Sequence, residues 1–179
     1  SEGVSFRTRC DTEVLLKLYQ QRGIAFLQEL DGMFAFAIWD RPRERLLLAR
    51  DRVGQKPLFF HDGPGGLAFA SELRSLLHAP GVEPRVDLEA MQLYLSLGYM
   101  PHTHCIVQGA HKVRPGCYAL WERGKPVAHE PYWRLQFRPR PRRAADAVAE
   151  LRHLLQEAVT MRMISDVPLG AFLSGGIDS

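Results

Sequence analysis

The sequence predicts an α+β protein: a strand-rich N-terminal region covered by helices, then a connector, then a second region that opens with a long helix. Three observations carry this reading. Short apolar runs, MFAFAIWD and RLLLARD above all, alternate with Gly and Pro punctuation over the first ~80 residues, the pattern of strands and turns. Helical periodicity is confined to separate segments between and after them. The run RLQFRPRPRR at 134–143, with five arginines and two prolines, can pack neither as a helix nor as a central strand. Composition agrees, since 46% apolar and 24% charged residues describe an ordinary globular chain. A net charge of +3 is too small to demand a nucleic-acid or membrane partner. No apolar run approaches the ~18–20 residues a membrane span needs.

The elements follow in order. DTEVLLKLYQQR at 11–22 places Val14, Leu15, Leu18 and Tyr19 on one helical face, with Asp11 or Thr12 as N-cap and Gly23 as stop. GIAFLQEL is a short amphipathic segment ending at Asp31-Gly32. MFAFAIWD at 33–40 reads as a strand buried on both faces, with Phe34, Phe36 and Trp39 in the core. The polar turn RPRE joins it to RLLLARD as a hairpin. PLFFH and LAFAS are the next strands, separated by HDGPGG. SELRSLLHA is a short helix with Ser71 as its cap, and VDLEAMQLYLSLG is an amphipathic helix capped by Asp87. A loop with Pro101, His102 and His104 precedes VRPGCYALWERGKPVAHEPYW, two strands around a Gly-Lys turn. Past the connector, residues 145–164 form the longest periodic helix, with Leu151, Leu154, Leu155 and Val159 in one stripe. The remainder, SDVPLGAFLSGGIDS, runs from a polar start through a short apolar strand into a glycine pair.

Cys10, Cys105 and Cys117 have unrelated spacings and no CxxC or His/Cys cluster accompanies them, so they read as reduced thiols of a cytoplasmic protein rather than as a zinc site. The arginine-rich connector lacks the interleaved aromatics of a nucleic-acid platform and reads as solvated chain. Neither a Met start nor a signal peptide opens the sequence, and it stops at Ser179, so it is expected to be a fragment.

The sharpest chemical signal is Leu173-Ser174-Gly175-Gly176-Ile177-Asp178-Ser179. Adjacent glycines let backbone N–H groups converge on an anion without interference from Cβ atoms. Ser174 and Ser179 add hydroxyl donors, and Asp178 would repel a phosphate unless Mg²⁺ bridged them. The spacing is not that of GxxxxGK[ST], and no lysine lies nearby, which excludes a Walker loop.

SGGIDS resembles the pyrophosphate loop, SGGxDS, of ATP pyrophosphatases. With Arg162, Ser165-Asp166-Val167-Pro168-Leu169-Gly170 and Phe172-Leu173 before it, the segment resembles the entry to the synthetase domain of glutamine-hydrolysing asparagine synthetases. The upstream half agrees independently. Cys10-Asp11-Thr12-Glu13 resembles the family's S-D-x-E element, with Cys10 in place of a serine, and residues 30–37 resemble its L-x-G-M-F-A-F-A strand. Residues 49–58 and 69–72 resemble the RDxxGxxPL and ASE blocks of the class II glutamine amidotransferase domain.

The resemblance implies an N-terminal-nucleophile αββα sandwich over residues 1–133, incomplete at its start, a linker at 134–143, and over 144–179 the beginning of an α/β adenine-nucleotide-binding synthetase domain. It implies that ammonia released from glutamine attacks β-aspartyl-AMP made from aspartate and ATP, giving asparagine, AMP, pyrophosphate and glutamate. Glutamine, aspartate and ATP are then the small-molecule partners, Mg²⁺ the metal, and a homodimer a candidate assembly, with no nucleic acid or membrane involved. Asp11 corresponds to the aspartate that holds the glutamine α-amino group. Leu173, Ser174, Gly175, Gly176, Asp178 and Ser179 correspond to the ATP site, with Asp178 reaching Mg²⁺ through pyrophosphate. Arg50, Asp51 and Glu72 read as scaffold charges. The family's nucleophile, the N-terminal cysteine of a C-G-I-x-G start, has no counterpart here, so no catalytic residue is assigned; Ser1 lacks the apolar strand that should follow a terminal nucleophile. Two alternatives stay open: a relative that amidates another carboxylate, for instance on a polysaccharide precursor, and a non-catalytic scaffold of the same fold.

Overall fold

The computed structural model describes residues 5–177. It divides into two compact units, Ser1–Leu135 and Gln136–Ser179.

The first unit is built on two antiparallel sheets. Helix α1 (Asp11–Arg22) and a 3-10 segment (Gly23–Glu29) precede strand β1 (Ala35–Asp40). A 3-10 turn at Arg41–Arg43 leads into β2 (Arg45–Arg50), which pairs with β1 from Ala35↔Arg50 to Asp40↔Arg45. The anticipated hairpin is therefore present. Strands β3 (Phe59–Gly63) and β4 (Gly66–Ala70) form the second hairpin. The short helix α2 (Leu73–Leu76) and helix α3 (Leu88–Leu97) follow, then β5 (Ala110–Lys112), β6 (Cys117–Glu122) and β7 (Ala128–Pro131). The four-stranded sheet has the order β1-β2-β6-β7 and the three-stranded sheet β4-β3-β5.

Three apolar clusters show how these parts stack. Tyr19, Phe26, Leu27, Ile38, Leu47 and Ala49 join α1 and the 3-10 segment to one face of the larger sheet. Leu48, Leu58, Phe60, Val113 and Ala119 fill the space between the sheets. Leu76, Val82, Cys105, Val107 and Ala110 pack α2 and its flanking loops on the outer face of the smaller sheet. A helical segment thus lies on the larger sheet, apolar side chains separate the two sheets, and the short α2 with its loops covers the smaller one. Phe26 and Leu27 are fully buried, a contribution of about 1.5–3 kcal/mol each.

Several local expectations need correction. Cys10, not Asp11 or Thr12, occupies the N-cap of α1, and it offers no side-chain cap bond. The carboxylate of Glu13 instead accepts from the backbone N–H groups of Arg7 and Thr8 and from the Thr8 hydroxyl, tying the entering chain to the first turn. Val14 is exposed, because the buried stripe of α1 is narrower than its apolar residues. Glu72 rather than Ser71 is the N-cap of α2. Strand β1 begins two residues later than expected and lies at a sheet edge, so Trp39 is 52% exposed, beside Trp121, rather than in the core. By contrast Asp87 caps α3 as expected, accepting from the Ala90 N–H at 2.9 Å, and Gly98 ends it in the left-handed region.

The second unit holds helix α4 (Ala144–Arg162), close to the expected span. Residues 134–143 carry no regular structure. The apolar strand expected before the glycine pair is not formed: residues 164–174 are irregular, because no other strand exists among the unit's described residues to complete a ladder. Leu151, Leu154, Leu155 and Val159 of α4 are exposed. No helix among the described residues is long and apolar enough to cross a membrane.

Candidate functional site

Asp11 opens α1 at the rim of a cavity of about 360 Å³ whose lining includes Thr12, Met33, Phe36, Lys56 and Ser71. Its carboxylate caps nothing. Its described contacts are the Thr12 hydroxyl at 3.4 Å and the Cys10 thiol at 3.5 Å, both long and both local. A carboxylate so placed keeps most of its acceptor capacity for a ligand donor. Lys56 brings a positive charge to the same cavity. That neighbour belongs to the RDxxGxxPL block, but nothing in its spacing says that it meets Asp11.

The loop that presents Lys56 is held by two buried charges. The Arg50 guanidinium donates to the carbonyls of Lys56 at 2.6 Å, Gly54 at 2.7 Å and Val113 at 2.9 Å. Asp51, fully buried, accepts from the N–H groups of Val53, Gln55 and Lys56 at 3.2, 2.9 and 3.0 Å. Burial pushes the Asp51 carboxyl pKa up, but these backbone donors outweigh it and hold it below the ordinary value. Gly54 is required here: its φ is +71°, and a Cβ would lie 2.8 Å from Pro115 Cγ and 3.0 Å from the Arg50 guanidinium carbon. Glu72 makes no side-chain hydrogen bond to a described residue, so its place in the scaffold rests on backbone alone: its carbonyl accepts from Ser75 and Leu76.

A second cavity, of about 520 Å³, lies between the smaller sheet and β7, with Phe60, His102, His111, Lys112, Arg114 and His129 among its lining. The backbone N–H of Arg114 donates to His129 Nε2 at 3.1 Å, which requires that nitrogen to be unprotonated. Burial, then the charges of Arg114 and His111, push the His129 pKa down to about 4. His111 and His102 are lowered for the same first reason, burial.

Cys105 and Cys117 are buried and Cys10 is exposed, all three as free thiols. Among the described residues no cluster of His, Cys, Asp or Glu could hold a metal ion. Of the expected nucleotide loop, Leu173 is 82% exposed, and Ser174 Oγ accepts from the Gly176 N–H at 3.2 Å in a tight serine turn. A Cβ on Gly175 would meet nothing within 4 Å. Asp178 and Ser179, like Ser1, lie outside the described residues.

Residues 1–133 match the glutamine amidotransferase domain family, and the chain belongs to that family. Residues 150–179 match the asparagine synthase family. The chain is 37% identical, over its whole length, to asparagine synthetase (glutamine-hydrolyzing) 3 of Bacillus subtilis (strain 168), of which it spans 29%. It is 38% identical, over 99% of its length, to a putative asparagine synthetase (glutamine-hydrolyzing) of Mycobacterium tuberculosis (strain CDC 1551 / Oshkosh), of which it spans 28%. Amidase chry2 of Gibberella zeae is 35% identical over 94% of this chain and is covered to 25%. The chain thus spans between a quarter and a third of the length of these curated relatives.

Proposed function

We propose that the whole protein is a glutamine-hydrolysing asparagine synthetase, its first unit an N-terminal-nucleophile amidotransferase sandwich. The observation that carries the assignment of Asp11 is that its carboxylate, at the mouth of a cleft, is not consumed in capping its own helix. An α-ammonium group donates charge-assisted hydrogen bonds to such a carboxylate. Glutamine held there loses its side-chain amide as ammonia. In the synthetase domain aspartate attacks ATP, pyrophosphate leaves, and ammonia displaces AMP from β-aspartyl-AMP to give asparagine. The adenylate is needed because AMP is a far better leaving group than hydroxide. Enclosed transfer keeps ammonia unprotonated and therefore nucleophilic.

Leu173, Ser174, Gly175, Gly176 and Ser179 are assigned to ATP, and Asp178 to Mg²⁺ bound with pyrophosphate. The glycine pair and the serine turn suit close approach of a phosphate, since neither glycine sets a side chain in its way. Mg²⁺ would supply charge neutralisation for the departing pyrophosphate. As a second reading, the ammonia goes to a carboxylate other than aspartate; one relative carries a name other than asparagine synthetase, Amidase chry2. The cytoplasm, where both amino acids and ATP are available, is the proposed location.

The test is a product assay on the full-length protein with glutamine, ATP and candidate acceptors. Asparagine with AMP and pyrophosphate is the expected outcome. ADP and phosphate would remove the adenylation, and glutamine-dependent AMP release with another carboxylate but not aspartate would establish the second reading.

A further inference from the structure

On the α1 side of the larger sheet, a cavity of about 520 Å³ is lined by Gln20, Arg41, Arg43 and Arg45, with Asp40 at its base. Asp40 is buried, and its carboxylate organises the site. It accepts from the Tyr19 hydroxyl at 2.7 Å, from Arg43 Nη1 at 3.1 Å and from Arg45 Nε at 3.3 Å. Arg45 Nε also donates to the Tyr19 hydroxyl at 3.0 Å, and the guanidinium lies 5.8 Å from the Tyr19 ring centroid. The guanidinium is therefore fixed through one edge. Its Nη1 and Nη2 donate to no other described residue. Arg41 is exposed and likewise makes no described side-chain bond. Glu122 stands opposite Arg45 in the β2–β6 register, but its carboxylate is paired with Lys125.

We propose that this cavity is a binding site for a small phosphorylated molecule, with the Arg45 fork as its anchor. Two guanidinium groups on one buried carboxylate, with Arg41 on the same cavity lining, leave a surplus of positive charge, which a phosphoryl dianion neutralises better than a single carboxylate does. A guanidinium held by its Nε while its outer N–H groups remain open presents the bidentate geometry that phosphate oxygens accept. Tyr19 and Asp40 are positioning residues: they act on the ligand only through Arg45. Trp39, exposed beside Trp121, turns its ring to the sheet face opposite Asp40 and takes no part in the site.

The experiment is a calorimetric titration of the full-length protein with inorganic phosphate, using acetate at matched ionic strength as the comparator. Saturable heat with phosphate, about tenfold tighter than with acetate, is the expected result. Arg45→Gln should abolish it. Because that substitution leaves Asp40 with fewer partners, Arg41→Gln provides an arm that touches nothing buried, and it should weaken binding about two- to fivefold with an unchanged melting temperature. Tyr19→Phe should weaken phosphate binding in a protein that still folds, since the Arg45 Nε then keeps only Asp40 to fix it. Equal affinity for the two anions, no saturable heat with phosphate, or undiminished binding by a folded Arg45→Gln protein would overturn the proposal.

Discussion

Tyr132, 82 residues further along the chain, donates its hydroxyl proton to the backbone carbonyl of Arg50 at 2.7 Å. The bond fastens the residue just past β7 to the one whose guanidinium holds the 50–57 loop. Gly116 reinforces the junction, its carbonyl accepting from the N–H groups of Tyr132 and Trp133. Tyr132→Phe removes one donor and leaves that interaction of the Arg50 carbonyl unmade, at a cost of about 1–2 kcal/mol. Thermal unfolding of the 179-residue chain should show a drop of about 2–8 °C.

Gly54→Ala should be more damaging than its size suggests. It forces a side chain into a left-handed position and against Pro115 and Arg50, for an expected loss of about 2–4 kcal/mol. Gly65→Ala, where a Cβ meets nothing within 4 Å, is the control and should lie within about 0.5 kcal/mol of wild type. Urea midpoints measured on both variants check the contrast.

Acidification should weaken the first unit through His129. Its pKa falls from 6.5 to about 4 on folding, so between those values the unfolded chain binds the extra proton and stability declines as pH drops. Above pH 6.5 the contribution is complete. Below about pH 4 it is gone. The loss is on the order of 1–3 kcal/mol, and His111 and His102, lowered in the same direction, add to it. His129→Gln should flatten the pH dependence of the melting temperature in this window.

In the full-length protein Asp11→Asn should raise the glutamine requirement about tenfold to a hundredfold, the worth of one charge-assisted hydrogen bond. Synthesis supplied with free ammonia should be nearly unaffected. Loss of both activities together with a lowered melting temperature would make Asp11 a structural residue only.

Gly176→Val and Asp178→Asn, again in the full-length protein, should lose aspartate-dependent cleavage of ATP to AMP and pyrophosphate while glutamine hydrolysis continues. The first sets a branched side chain where phosphate must approach, and the second removes the charge that Mg²⁺ requires. Unchanged adenylation by Asp178→Asn would refute the assignment of the loop.

Most of the strands were legible because each couples an apolar run to a turn with its own chemistry: RPRE before β2, HDGPGG between β3 and β4, Gly124-Lys125 after β6. The same is true of α3, whose Asp87 cap and Gly98 stop are both written in the sequence. What failed depended on neighbours far away in the chain. Trp39 looks like core until β1 is found at an edge, and β5 is too short to register as a pattern. The apolar run before Ser174 has strand composition, but no strand pairs with it among the described residues. At the candidate site, Asp11 was legible only through its resemblance, whereas Lys56 shares the cleft through the fold of the 50–57 loop, which no local rule encodes. The fixed fork of Arg45 was invisible for the same reason, since Tyr19, Asp40 and Arg45 meet only once α1 lies on the hairpin.

The order of strands has a consequence for how this chain comes off a ribosome. Strand β2 is flanked in its sheet by β1, its immediate predecessor, and by β6, so the whole smaller sheet is synthesised between the two partners of one strand. At about 5–20 residues per second, the β2 edge waits several seconds for β6 to emerge. Leu46, Leu47, Leu48 and Ala49 would meanwhile present a bare, sticky ladder to other nascent chains. Arg45 and Arg50 stand at its two ends. Their charges oppose edge-to-edge association during that interval, a service to the cell that ends once β6 has docked.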